Sequence, residues 1–117
     1  MKKIIFYTYL KCSTCRKAAK WLDKENLEYQ SIDILKEPPS SKYLNLAFEQ
    51  YSEDKKSIFN SRGKAFKSID LDIYGLLKEE SIQLLLSDGK LIKRPFLIFG
   101  EKIILGFNEA EYSNLLL

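Results

Sequence analysis

Residues 2–8 (KKIIFYT) run β-branched and aromatic without a helical period, and they predict a buried strand. The pattern then changes. Cys15, Ala18, Ala19 and Leu22 recur at i, i+3, i+4 and i+7, one apolar stripe of a helix over 13–25. Lys17, Lys20 and Lys24 fall on its opposite, wet side. Asn26 can stop this helix, and residues 28–34 (EYQSIDI) alternate enough for a second strand. A β-α-β opening of this kind implies parallel strands joined by a right-handed crossover.

Pro38 and Pro39 end the extended segment, and Ser40 or Ser41 can cap a helix over 41–50 (SKYLNLAFEQ). Residues 51–62 are polar and read as a loop. A short turn or helix follows near 63–68, then a better helix near 76–87, closed by Asp88-Gly89. Pro95 opens a second β region, in which 96–99 (FLIF) and 102–105 (KIIL) flank Gly100-Glu101 as two strands of a tight hairpin. Asn108 and Glu111 have the spacing of a capping box for a last helix over 109–116. There is no internal repeat or low-complexity tract, so residues 1–117 predict one domain, with a helical insertion at roughly 40–88.

Composition narrows the chemistry. Apolar residues at 45% and charged residues at 30% are ordinary for a globular protein with a real core. The net charge of +3 is too small to argue for a nucleic-acid groove. Lysine 2 and Lys3 precede only a short apolar run, broken by Lys11, so no secretory signal or membrane span is expected and the cytoplasm is the expected compartment. Structural disulfides are rare there. Histidine is absent, which excludes imidazole-dependent hydrolysis and leaves two cysteines without further soft ligands for zinc; no metal site is expected.

Cys12 and Cys15, in CSTCRKAAKWL at 12–22, stand where the first strand passes into the first helix. A helix mouth offers unpaired N–H groups and the positive end of the dipole, so a thiol at Cys12 should lose its proton more readily than a free cysteine. Cys15, one turn later, is on the same side and can close a disulfide with it. Lys11 and Arg16 add positive charge beside the pair. A C-x-x-C between strand and helix of a βαβ unit is a redox signature. Arg94-Pro95 sits directly before the hairpin, where in thioredoxin-like architectures a cis proline faces the redox cysteines.

Those segments, with FNSRGKAF at 59–66, SDGKLIKRPFLIF at 87–99 and ILGFNEAEY at 104–112, resemble the arsenate reductase (ArsC) family over essentially the whole chain. The resemblance is strongest to the branch containing Spx, MgsR and YffB-type proteins. It implies an α/β, thioredoxin-like fold with a four-stranded mixed sheet, ordered βαβ, helical insertion, ββα, and flanked by helices. It makes Cys12 the reactive cysteine, Cys15 its partner, and Arg62 and Arg94 the arginines that hold an anion, with Pro95 the cis proline. Guanidinium forks suit oxyanions because they bind bidentately and keep their charge. Where the reductases carry a further arginine after the last strand, this chain has Gly106-Phe107-Asn108.

Three functions follow from the resemblance. The first is thiol–disulfide exchange on a thiol or disulfide substrate, with glutathione or glutaredoxin as reductant and no bound cofactor. The second is redox-sensing regulation through the α subunit of RNA polymerase, without direct sequence-specific contact to nucleic acid. The third is glutaredoxin-dependent arsenate reduction. A monomer with no membrane contact is expected in each case.

Overall fold

Strand β1 (Ile4–Thr8) is paired on both sides, and the rest of the chain is arranged around it. The computed structural model describes residues 3–117, so Lys2, where the sequence pattern begins its first strand, lies outside the described residues. After β1 come α1 (Ser13–Lys24), β2 (Gln30–Asp33), α2 (Ser41–Gln50), the short α3 (Lys64–Lys67), α4 (Lys78–Ser87), β3 (Phe96–Phe99), β4 (Lys102–Leu105) and α5 (Glu109–Leu116). Three 3₁₀ turns, at Lys55–Ile58, Ile73–Gly75 and Gly89–Leu91, interrupt the stretch between α2 and β3. The strand order is β2-β1-β3-β4, with β1 and β2 parallel and both β1–β3 and β3–β4 antiparallel. This four-stranded mixed sheet flanked by helices is the thioredoxin-like arrangement, and the fold class is α/β.

Side-chain alternation splits the core between the two sheet faces. Ile4 and Phe6 of β1, Leu97 of β3 and Ile104 of β4 pack with Ala18, Trp21 and Leu22 of α1 and Tyr112 of α5. Tyr7, Phe96, Ile98 and Ile103 point the other way, onto Leu44, Ala47 and Phe48 of α2 and Ile82 and Leu85 of α4. A period of two along each strand therefore sorts one hydrophobic set under the first and last helices and the other under the insertion.

Several local signals act as the pattern implies. Asn26, at φ 57°, ends α1 in the left-handed conformation that asparagine tolerates. Gly100 (φ 64°) turns the hairpin. The Asn108 side-chain oxygen accepts the Glu111 N–H at 3.0 Å and starts α5. Ser40 occupies the N-cap of α2, but its side chain makes no capping hydrogen bond.

The insertion departs from the sequence pattern. Residues 51–62 are not simply loop: Lys55–Ile58 is a 3₁₀ turn, and Ile58 and Phe59 are core residues. Pairing explains this. Phe59 bridges Ile92 antiparallel, the Lys93 N–H donates to the Ile58 carbonyl at 2.9 Å, and the Asn60 N–H donates to that of Leu91 at 2.8 Å. In α1 the buried stripe is Cys15, Ala18, Trp21 and Leu22, with Ala19 only half-buried, because the Trp21 indole reaches round to pack edge-on against Tyr112 at 5.6 Å.

The exposed edge of the sheet is covered by side chains. Gln50, at the end of α2, accepts the Ile103 N–H at 2.8 Å and donates to the Glu101 carbonyl at 2.7 Å. The Tyr51 hydroxyl accepts the Leu105 N–H at 3.2 Å and donates to the Ile103 carbonyl at 3.3 Å. Alternate backbone groups of β4, those facing away from β3, are thereby satisfied.

Candidate redox site

Cys12 is the N-cap of α1, in extended backbone (φ −97°, ψ 116°). Its Sγ accepts the Cys15 N–H at 3.3 Å, the position a serine or aspartate oxygen takes in an ordinary cap. The Cys12 N–H donates to the Tyr9 carbonyl and the Arg16 N–H donates to the Cys12 carbonyl, both at 3.1 Å. Strand end, turn and first helical turn thus hold the residue from both sides. Both cysteines are free thiols in this structure.

The two sulfurs occupy different surroundings. Cys12 is half-buried at the helix mouth, whereas Cys15 is 1% exposed. Burial pushes the Cys15 thiol up to about 11, and its hydrogen bond with the Cys12 side chain adds to the rise. A hydrogen bond with the Thr8 side chain and another with the Tyr9 backbone act in the opposite direction. Tyr112 is fully buried, its phenol raised by burial and then by charge on Cys15. The Tyr112 hydroxyl donates to the Gly106 carbonyl at 3.0 Å.

The Arg94–Pro95 peptide bond is cis, and Pro95 is buried. The Arg94 guanidinium lies over the Tyr9 ring, 5.0 Å from its centroid, and its Nη1 is buried without a hydrogen-bond partner. The hairpin is thus brought up to the residue whose carbonyl accepts the Cys12 N–H. Lys11 is exposed, and Arg16 is exposed with Nη1 donating to the Leu10 carbonyl at 2.8 Å, which closes the turn over Cys12.

Arg62 stands exposed in the turn before α3 and makes no hydrogen bond among the described residues. That turn is nonetheless anchored. A Cβ on Gly63 would fall 2.6 Å from the Asn60 side-chain nitrogen, and that nitrogen donates to the Lys90 carbonyl at 3.3 Å. The segments carrying Arg62 and Arg94 are therefore tied together by the 58–60 and 91–93 pairing.

Phe107, within the Gly106-Phe107-Asn108 segment after the last strand, packs edge-on against Tyr112 at 4.9 Å and joins the cluster under α1 and α5. Sequence reasoning missed Tyr9 and Thr8. Their signal was position: Thr8 ends β1 and Tyr9 follows it, both within four residues of Cys12. Among the described residues no group of three or more His, Cys, Asp or Glu side chains could hold a metal, and no helix is long and apolar enough to cross a membrane.

A cysteine capping the helix after β1, a second cysteine one turn on and a cis proline before the antiparallel hairpin define a thioredoxin-fold thiol protein. Residues 7–115 match the ArsC family, and the chain belongs to it. It is 40% identical over 112 residues to the uncharacterized protein YusI of Bacillus subtilis, covering 94% of this chain and 95% of that protein. The regulatory protein MgsR of the same organism is 29% identical over 97% of this chain and 90% of its own length. Among solved structures, that of a possible arsenate reductase from Streptococcus mutans is 37% identical, covers 100% of both chains and superposes with a TM-score of 0.85.

Proposed function

We propose that this chain is a thiol–disulfide oxidoreductase in which Cys12 is the nucleophile and Cys15 the resolving thiol. The observation that carries the reading is the cap itself: the Cys12 sulfur accepts the Cys15 N–H at 3.3 Å, with one cysteine half-open and the other buried. Cys12, as thiolate, attacks one sulfur of a substrate disulfide R–S–S–R′. The Cys12–S–R bond forms, the substrate S–S bond breaks, and R′–S⁻ leaves to take a proton from water. Cys15 then gives its proton to solvent and attacks the Cys12 sulfur. The Cys12–Cys15 disulfide forms and R–S⁻ leaves to be protonated. Two electrons pass from the pair to the substrate, and two equivalents of an external thiol such as glutathione return the pair to its reduced state.

Arg94 offers its unpartnered Nη1 to an anionic group of the substrate, a carboxylate or oxyanion. Arg62, in the anchored neighbouring turn, is the second anion-binding candidate, and Lys11 and Arg16 add positive charge. Pro95 shapes the wall of the site. The test is thiol counting after oxidation with diamide. The native chain should lose both free thiols without forming dimers and recover both with glutathione. Intermolecular dimers, or two thiols that survive, would contradict the reading.

A second reading is supported by the likeness to MgsR, a protein named as a regulator, over nearly the whole chain. In that reading the same pair is a sensor, and its oxidation state sets binding to the α subunit of RNA polymerase. Capture of that subunit by the oxidised but not the reduced chain favours it; equal or absent capture in both states excludes it.

A further inference from the structure

We propose that Tyr9 is the positioning residue of this site, setting the distance between the anion-binding guanidinium and the cysteine pair; the proposal rests on the redox reading above. Two observations converge on it. The Arg94 guanidinium lies 5.0 Å from the centroid of the Tyr9 ring. The Tyr9 carbonyl accepts the Cys12 N–H at 3.1 Å. One residue therefore touches the charged group through its side chain and the Cys12 backbone through its carbonyl, and Cys12 in turn accepts the Cys15 N–H at 3.3 Å.

The ring itself is held. Tyr9 packs against the core cluster beneath the insertion, so the guanidinium rests on a fixed face. The Tyr9 hydroxyl makes no hydrogen bond among the described residues, so the side chain contributes its π-face and its packing. An arginine laid on an aromatic face loses less rotamer freedom when it captures an anion than one free in solvent. The buried, unpartnered Nη1 is the donor that such an anion would satisfy. The substrate class this arrangement selects is a disulfide bearing a carboxylate near its sulfur, attacked by Cys12 while the carboxylate sits on Arg94.

The experiment compares two disulfide probes on the full chain: 5,5′-dithiobis(2-nitrobenzoate), which carries two carboxylates, and neutral 4,4′-dithiodipyridine. Each reacts by the steps written above, releasing one coloured thiol on attack by Cys12 and a second when Cys15 closes the disulfide. The readout is the ratio of first-phase rates, anionic over neutral, normalised to the same ratio in the urea-unfolded chain. The native protein should show a ratio above unity, and Arg94→Gln should bring it to about one. Tyr9→Leu should lower it about three- to tenfold, toward the Arg94→Gln value, while Tyr9→Phe and Tyr9→Trp should hold it within twofold.

A Tyr9→Leu ratio equal to the native one overturns the proposal, as does a Tyr9→Phe ratio as low as that of Arg94→Gln. If Tyr9→Leu does not fold, the Phe, Tyr, Trp series decides: the ratio must not fall in the Trp variant. An Arg94→Gln ratio equal to native defeats the proposal at its base. Failure to form the Cys12–Cys15 disulfide instead counts against the redox reading alone, and it leaves this ratio measurable.

Discussion

The burial of Cys15 makes a quantitative prediction about its reactivity. In a Cys12→Ser variant, Cys15 is the remaining thiol, and its iodoacetamide labelling rate follows its thiolate fraction together with its exposure. Its titration is pushed from an ordinary 9.0 to about 11, so near neutral pH its thiolate is about a hundredfold scarcer than that of an ordinary cysteine. Removing Cys12 takes away the secondary cause of the rise, but burial, the larger cause, stays. The native variant should therefore label at least about thirtyfold more slowly than the same variant in denaturant, and its rate should climb with pH beyond 9.0 without levelling. Equal rates in the folded and unfolded chain, or a plateau near 9.0, would refute the assignment of Cys15 as the buried thiol.

The same proton gives stability a definite sign. Folded Cys15 keeps its proton up to about 11, whereas an unfolded cysteine releases it near 9.0, so the folded chain binds the extra proton between those values. Stability that depends on the neutral thiol is fully present below about 9 and is lost as pH rises toward 11. The loss is at most about 1.4 kcal/mol per pH unit, or about 3 kcal/mol in all. Urea unfolding of the native chain and of Cys15→Ala across that range measures it, and only the native chain should show this contribution.

Other parts of the fold make equally concrete predictions. Tyr51→Phe removes the hydroxyl that bridges Ile103 and Leu105 and should cost about 1–2 kcal/mol in urea unfolding. Combining it with Gln50→Ala frees the β4 edge and should produce concentration-dependent association in gel filtration. Gly89→Ala would place a Cβ 2.4 Å from the Ile34 carbonyl oxygen and should destabilise by about 2 kcal/mol or more, whereas Gly75→Ala, with its nearest atom at 3.9 Å, should be tolerated; a thermal melt compares the two. Arsenate turnover with glutathione and glutaredoxin should stay at background in a coupled assay, because Gly106-Phe107-Asn108 after the last strand supplies no guanidinium and Phe107 is packed on Tyr112.

The strands, α1, α2, α5 and the hairpin were legible because their periodicities are local and their boundary residues, Asn26, Gly100 and Asn108, have local chemistry. Ile58 and Phe59 were not. They are two apolar residues in a polar stretch, buried through pairing with residues 91–93, more than thirty positions away, and no window of sequence contains that pairing. The helical stripe did not include Trp21 for a related reason: a stripe gives direction, but the reach of an indole depends on Tyr112, which comes from the far end of the chain. The cysteine pair was readable from its spacing and its place between strand and helix. Arg94 gained meaning through family resemblance, and Tyr9, just beyond the predicted strand, carried no local signal until the guanidinium was seen over its ring.

Central to the account is the order in which the two thiols act, and a trapping measurement tests it most directly. Purified Cys15→Ser and Cys12→Ser chains are each incubated with oxidised glutathione at pH 7.5 and analysed by intact-mass and peptide mass spectrometry. The account predicts that Cys15→Ser accumulates a mixed disulfide on Cys12, since no thiol is left to release it, that Cys12→Ser stays unmodified, and that the native chain passes to an internal Cys12–Cys15 disulfide without retaining glutathione. A stable adduct on Cys15 in the Cys12→Ser chain, or a native chain that never links the two sulfurs, would contradict it.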